Sequence, residues 1–337
     1  MNDTFRNKMT IDDVAVALGV SKTTVSRAIS GKGRVSPETR ERVLNFIEEN
    51  DYVPNAFAKG LAQSKTCSIG INVPQEFGLT EMPFFQKCLS GVCEYAMSAD
   101  YDVLISMTST NDISQLERMV NNRKVDGIIL TRTLTRDYPL EFLKTKRIPF
   151  VTIGSTRETS VIQIDNDHEG ACRELTTALL RQNVGRMVLL CTNSNYVVTQ
   201  TRLQGFMRAM RESGYEITPD MIIYETDDDS LERFIRDVKQ NRYDCVLCMD
   251  DSICVRVLDL FRYEGIKVPK DIKIASFYNS SILERNIPAI TSLEFDAKEL
   301  GTVACKTLLD MIGGASVPTR SLLGYDISLK ASTENLR

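Results

Sequence analysis

Apolar positions recur at helical spacing in three short segments near the start of the chain, and in alternating short and long runs over the rest. Val14, Ala17 and Leu18 follow Thr10 at helical steps, Asp13 stands three residues beyond Thr10, and Gly19 follows Leu18. The spacing predicts a helix capped by Thr10 and stopped by the glycine. Ser21 is placed to cap a second helix with Val25, Ala28 and Ile29 inward, leaving Lys22, Thr23, Thr24, Ser26 and Arg27 outside. Ser36 caps a third, with Pro37 at its first position and Val43, Leu44 and Ile47 inward. Two short helices joined by a tight glycine-containing turn, the second presenting small polar and basic groups, form the helix-turn-helix pattern.

After Cys67 the texture changes. Short apolar runs (68–73, 103–107, 127–131, 150–153) alternate with longer amphipathic ones (84–98, 113–122, 140–144), the signature of a parallel sheet covered on both faces. The alternation restarts at Val161 and continues through 169–181, 187–191, 201–212, 231–239, 244–248 and 253–263 to 272–277. Two α/β units in tandem imply a ligand cleft outside the carboxyl ends of their strands.

Charge changes this picture only when it is divided. The whole chain carries −4, but residues 1–66 hold ten Lys/Arg against eight Asp/Glu, and between Ser21 and Arg34 the bases Lys22, Arg27, Lys32 and Arg34 meet no acid. That is a one-sided footprint for a phosphate backbone, so double-stranded DNA is the expected partner of the first segment. No run of about 18 apolar residues occurs and MNDTFRNKM is no apolar leader, so no membrane is expected and the cytoplasm is the expected compartment. Nine cysteines are scattered without a framework and read as reduced, mostly buried thiols. Cys245 and Cys248 form a CxxC inside a strand-like run, where residues three apart point to opposite faces, so no metal site is expected. One histidine, His168, no phosphate-cradling glycine loop and no nucleophile-base set argue against an enzyme, and no cofactor is expected.

Thr10-Ile11-Asp12-Asp13-Val14-Ala15, Val20-Ser21, Thr24-Val25-Ser26-Arg27, Val35-Ser36, Thr39-Arg40 and Tyr52-Val53-Pro54-Asn55 closely resemble the head of the lactose-repressor/galactose-repressor (LacI/GalR) family of bacterial transcriptional regulators. Val125 to Ile129, Asp165-Asn166, Arg202 to Phe206, Val268 to Ile272 and Ile290 to Leu293 resemble that family's sensor domain in order and rough spacing. The resemblance implies an all-α helix-turn-helix head at 1–51, a hinge at 52–66, and a periplasmic-binding-protein-like core at 67–337. In that core the first lobe spans 67–164 and 293–324, and the second 165–292 and 325–333. It implies that Lys22, Thr23 and Arg27 read bases, while Thr10, Ser21 and Thr24 suit phosphates. In the hinge, Asn55, Ala58 and Leu61 fall on a short segment, weakened by Gly60, that the family folds only when two copies pair, with Leu61 wedging into the minor groove. A homodimer on a near-palindromic operator is the expected assembly.

For the sensor the resemblance implies a small-molecule effector, a sugar, sugar acid or sugar phosphate, met by Phe84, Phe85, Arg202, Asp250 and Tyr278. One of the two phenylalanines is expected to pack as core. The chain departs from the family's sugar-gripping polar groups at Met249, Gly154 and Tyr278. Those side chains cannot grip hydroxyls as carboxylates do, which points to a ligand that is anionic or partly apolar. Arg132, Arg136 and Arg157 follow apparent first-lobe strands and could meet an acidic ligand. The expected function is a repressor of a metabolic operon under effector control, the alternative being control by a protein partner.

Overall fold

The computed structural model describes residues 9–31, 33–52, 65–75, 83–182, 184–224, 228–240 and 242–335, in two compact units, Met1–Thr66 and Cys67–Arg337. The first unit is a three-helix head: α1 (Ile11–Leu18), α2 (Lys22–Ser30) and α3 (Pro37–Glu49). Thr10 and Asp13 form a reciprocal capping box, Gly19 ends α1 at φ 66°, Ser21 caps α2 and Ser36 caps α3. Val14, Ala15, Val25, Ala28, Val43 and Tyr52 make the small core. Two inward positions expected from the sequence are corrected. Ala17 is exposed and Ala15 takes its place, because Ile11, Val14, Ala15 and Leu18 share an arc of about 100° that Ala17 misses by about 60°. On α3, Leu44 is 45 % exposed, and Phe46 and Ile47 flank Val43 instead.

The second unit contains β1 (Ser68–Pro74), α4 (Pro83–Ser98), β2 (Asp102–Thr108), α5 (Ser114–Asn121), β3 (Gly127–Leu130), α6 (Tyr138–Lys146), β4 (Phe150–Ile153) and β5 (Ile162–Asn166). It continues with α7 (His168–Leu180), β6 (Met187–Leu190), α8 (Val197–Glu212), β7 (Ile222–Ile223), α9 (Asp228–Lys239), β8 (Cys245–Cys248), α10 (Asp251–Tyr263) and β9 (Lys273–Ser276). It closes with α11 (Ser281–Glu284), β10 (Thr291–Glu294), α12 (Ala297–Ile312), β11 (Arg320–Leu323) and β12 (Asp326–Ser328). Two six-stranded sheets result, ordered β11-β5-β4-β3-β1-β2 and β12-β10-β9-β8-β6-β7. Among the described residues the strands pair in parallel except β10 with β12. The apolar runs are buried on both faces, as parallel strands under helices must be: Ile69, Ile71 and Val73 in one lobe, Val188 to Leu190 and Val246 to Cys248 in the other.

The chain crosses between lobes three times: after β5, after β10 and between β11 and β12. Asp165 and Asn166 thus belong to the first sheet, and Leu293 and Glu294 to the second, each a residue or two from the lobe limits read off the sequence. Helix α12 returns to the first lobe and packs on α4 at glycine contacts. A Cβ on Gly91 would lie 2.0 Å from the Lys298 carbonyl oxygen, and one on Gly301 2.1 Å from that of Cys88. Seven of the nine cysteines are buried and all are free thiols, with Cys93 exposed. Among the described residues no helix is long and apolar enough to cross a membrane.

Candidate functional site

On the head, α2 presents Lys22, Thr23, Ser26 and Arg27 to solvent, with Thr24 half-buried. The caps are occupied internally: Thr10 engages Asp13, and the Ser21 hydroxyl accepts from the Thr24 amide at 3.1 Å and lies 2.8 Å from the Thr24 hydroxyl. Such hydroxyls at helix starts keep lone pairs and neighbouring amides suited to phosphate oxygens. Lys22 is held by Asp12 of α1, with Nζ 2.9 Å from the carboxylate. The sequence reading missed this pair, because the partners lie ten residues apart on different helices. Both side chains are more than half exposed, so the pair is weak and DNA can displace it. Asp12→Ala is expected to tighten binding to any DNA by no more than about fivefold, read by fluorescence anisotropy at two salt concentrations. Arg27 extends past Gly33, whose Cβ position would fall 3.0 Å from the arginine Cδ. Asn55, Ala58 and Leu61 lie outside the described residues.

In the second unit a cavity of about 600 Å³ opens between the lobes at the carboxyl ends of both sheets, in the size range of small-molecule sites. All five residues expected at the effector site, Phe84, Phe85, Arg202, Asp250 and Tyr278, line it. The first lobe also contributes Arg132, Thr133, Gly154 and Asp165, and the second His168, Asn193, Tyr196, Asp251 and Arg256. Arg136 and Arg157 are exposed outside this lining. Gly154 has φ 111°, a conformation that other residues adopt only with strain, so the loop after β4 is built for glycine.

The aromatic side chains form a wall across the two lobes. Phe84 stands edge-on to Phe85 with centroids 5.2 Å apart and edge-on to Tyr278 at 5.9 Å, and Tyr278 stacks on Phe295 at 6.4 Å. Phe85 is the more buried of the pair, yet both reach the cavity. Burial pushes the Tyr278 phenol well above its ordinary range, so it stays a neutral donor and acceptor. Opposite, the Arg132 guanidinium lies over the Tyr196 ring at 5.3 Å.

Arg202, on the second turn of α8, is 8 % exposed. Its Nη1 donates to the Met249 carbonyl at 2.7 Å and its Nε points at His168 Nδ1 at 3.5 Å. Met249, a departure from the family pattern by its side chain, thus serves through its backbone. Asp250 caps α10, one carboxylate oxygen accepting from the Ile253 amide at 3.0 Å. Burial, with the neighbouring charge of Asp251, raises its pKa against the opposing effects of that bond and of Arg202. Asp165 accepts from the Ser155 amide and hydroxyl, both at 2.7 Å, and from the Asn166 amide at 2.8 Å. Burial works against its ionisation, but His168 and these bonds outweigh it and hold the carboxyl below its usual range. Among the described residues no group of three or more His, Cys, Asp or Glu could hold a metal ion.

The lining can therefore stack an apolar ring face on aromatics and present Arg, Asp, Thr and Asn groups to oxygen atoms. Sequence reasoning singled out five of these lining positions by alignment with the family, Tyr278 among them as a departure from its pattern, and Arg132 by its place after a strand. It gave no place in the cavity to His168, Asp165, Tyr196 and Asp251, although Asp165 stood in a matched motif and His168 is the sole histidine; Tyr196 and Asp251 are marked only by position, just beyond the ends of apolar runs.

The profile described as bacterial regulatory proteins, lacI family, matches residues 10–55, and that of a periplasmic binding protein-like domain matches 176–333. The HTH-type transcriptional regulator MalR of Staphylococcus xylosus is 28 % identical over 317 residues, covering 92 % of this chain and 93 % of its own length. Catabolite control protein A of Priestia megaterium is 26 % identical over 336 residues, covering 97 % and 99 %. The structure of the transcriptional regulator CelR in complex with cellobiose aligns with TM-score 0.72 at 26 % identity over 96 % of this chain and 99 % of its own. The lac repressor dimer bound to operator shares the fold, with TM-score 0.82 at 21 % identity over 97 % and 99 %.

Proposed function

We propose that this chain, which belongs to the lacI family of bacterial regulatory proteins and is a DNA-binding transcriptional regulator, acts in the cytoplasm as a homodimeric repressor whose operator affinity is set by a carbohydrate-class effector. The observation that carries the effector reading is the cavity between the lobes, where a cross-lobe aromatic wall faces Arg202 and a ring of oxygen-seeking groups. Sugars offer both an apolar C–H face and a hydroxyl rim. Occupancy of a cleft between two lobes shifts their relative arrangement by differential affinity, and two heads joined by paired hinges convert that shift into DNA affinity. The known cellobiose complex of CelR supports a ligand of one or two sugar rings. Arg132, Arg202 and Arg256 in the lining further suit an acidic or phosphorylated sugar.

Selection of operators from random DNA with the full chain is expected to return a near-palindromic site. Cellobiose, maltose, gluconate and glucose 6-phosphate are then tested against that complex. At least one is expected to change its Kd about tenfold or more, and Arg202→Ala to abolish the response while DNA binding persists. A complex that ignores all four sugars would move the reading toward control by a protein partner.

A further inference from the structure

His168 is the only histidine of the chain, and it lines the cavity where the first crossing between lobes is made. Its ring is 6 % exposed and is held from several sides. From β5 of the first lobe, Asp165 sets a carboxylate oxygen 3.4 Å from Nε2. From α8 of the second lobe, Arg202 sets Nε 3.5 Å from Nδ1. Phe295, at the second crossing, packs edge-on against the imidazole with centroids 4.8 Å apart. Asp167, the cap of α7, is the other charge that acts on the ring, and its carboxylate already accepts from the Gly170 amide at 2.9 Å.

These neighbours fix the proton. With N–H on Nδ1, the ring would aim a donor at a guanidinium and a lone pair at a carboxylate. With N–H on Nε2 it donates to Asp165 and accepts from Arg202, so both contacts become attractive. We propose that His168, as the neutral Nε2–H tautomer, is a positioning residue for the effector: it ties Arg202 to Asp165 of the other lobe and keeps the guanidinium aimed into the cavity. This rests on the reading of the cavity as the effector site. Arg202 is then bonded through Nη1 to Met249 and through Nε to His168, which leaves Nη2 uncommitted among the described residues. Protonation of the ring would remove the acceptor and set two cations together, releasing Arg202. Burial, reinforced by the charge of Arg202, lowers the imidazole pKa from its ordinary value, so the neutral form is the working one.

A sole histidine gives a single imidazole signal, so the test is direct. The full chain, without a histidine tag, is labelled at histidine nitrogen and followed by NMR from pH 8 to pH 6. The expected spectrum shows the proton on Nε2 and a bare Nδ1 throughout. A proton on Nδ1, or titration at the ordinary histidine pKa, would overturn the proposal. Calorimetry with cellobiose and with glucose 6-phosphate supplies the second arm. His168→Gln, which keeps a donor and an acceptor, is expected to bind within about threefold of wild type. His168→Phe keeps the packing on Phe295 but loses both hydrogen bonds, and is expected to bind about tenfold or more weakly. Equal binding by the phenylalanine variant also overturns the proposal. If neither sugar binds the wild-type chain, or if Arg202→Ala binds as well as wild type, the effector reading fails instead, and the tautomer still decides the state of His168.

The same assignment fixes a sign for stability. A histidine buried neutral takes up a proton on unfolding once the pH drops below the unfolded value of about 6.5, so stability falls as pH falls through that value. The melting temperature of wild type should therefore drop more steeply between pH 7.5 and 5.5 than that of His168→Gln.

Discussion

Gly301→Val is expected to lower the melting temperature of the core by about 5–10 °C and to abolish its response to effector. Helices α4 and α12 come from opposite ends of the first lobe's sequence, yet their backbones touch through Gly91 and Gly301. A Cβ at position 301 would sit 2.1 Å from the Cys88 carbonyl oxygen, and 2.9 and 3.0 Å from the carbonyl carbon and Cα of that residue. All three are backbone atoms of a helix, so no rotamer change relieves the clash and the helices must separate. Overpacking of this kind costs about 1–3 kcal/mol and sometimes more, and around the contact Cys88, Val92, Ala304 and Cys305 are fully buried. A loss of about 3 kcal/mol in a unit of this size corresponds to the stated shift. The functional consequence follows from the start of α4, which carries Phe84 and Phe85 into the cavity wall. Gly324→Ala is the control, because a Cβ there meets nothing within 4 Å and should change the melting temperature little. Calorimetric scans of both variants decide the matter, and an unaltered Gly301→Val scan would show that the two helices do not depend on this contact.

The elements that sequence made legible are those whose local signals agree. Thr10 with Asp13, Ser21 with Thr24 and Ser36 with Pro37 mark helix starts by chemistry that acts within four residues, and each cap forms. The long strands were legible because burial on both faces writes them as continuous apolar runs. Strand β7, two residues long, and α11, a single turn, escaped because neither spans a full period of any pattern. Ala17 and Leu44 were misplaced because a count of three or four residues is a coarse substitute for a 100° step. At the cavity, the positions that align with the family's ligand contacts were singled out, whereas His168 was not. Its role depends on Arg202, 34 residues later, and on Asp165 across a lobe boundary, and no window of sequence holds all three.

Arg27→Ala should weaken binding to the operator by about 1–3 kcal/mol, or roughly 5- to 150-fold in Kd, while affinity for random DNA falls far less. Arginine and lysine on the same helix face are not equivalent here. In the free head Lys22 is engaged by Asp12, and reaching a base costs that pair, whereas Arg27 is exposed and its guanidinium fork is available for a bidentate contact with guanine O6 and N7. Removing a fork that reads one base pair takes away discrimination; removing a charge that meets phosphate lowers affinity for every sequence alike and flattens the salt dependence. The two outcomes are separated by measuring Kd for operator and for random duplex at two salt concentrations. Gly33→Ala offers an independent check that leaves the charge in place. At φ 90° an alanine is strained, and its Cβ would press on Arg27 Cδ and Nε at 3.0 and 3.1 Å, turning the arginine from its present course. It should therefore reduce the operator-to-random ratio in the same direction as Arg27→Ala with an unchanged salt slope. Equal losses on both duplexes for Arg27→Ala would place that side chain on the phosphate backbone and leave base reading to Lys22 and Thr23.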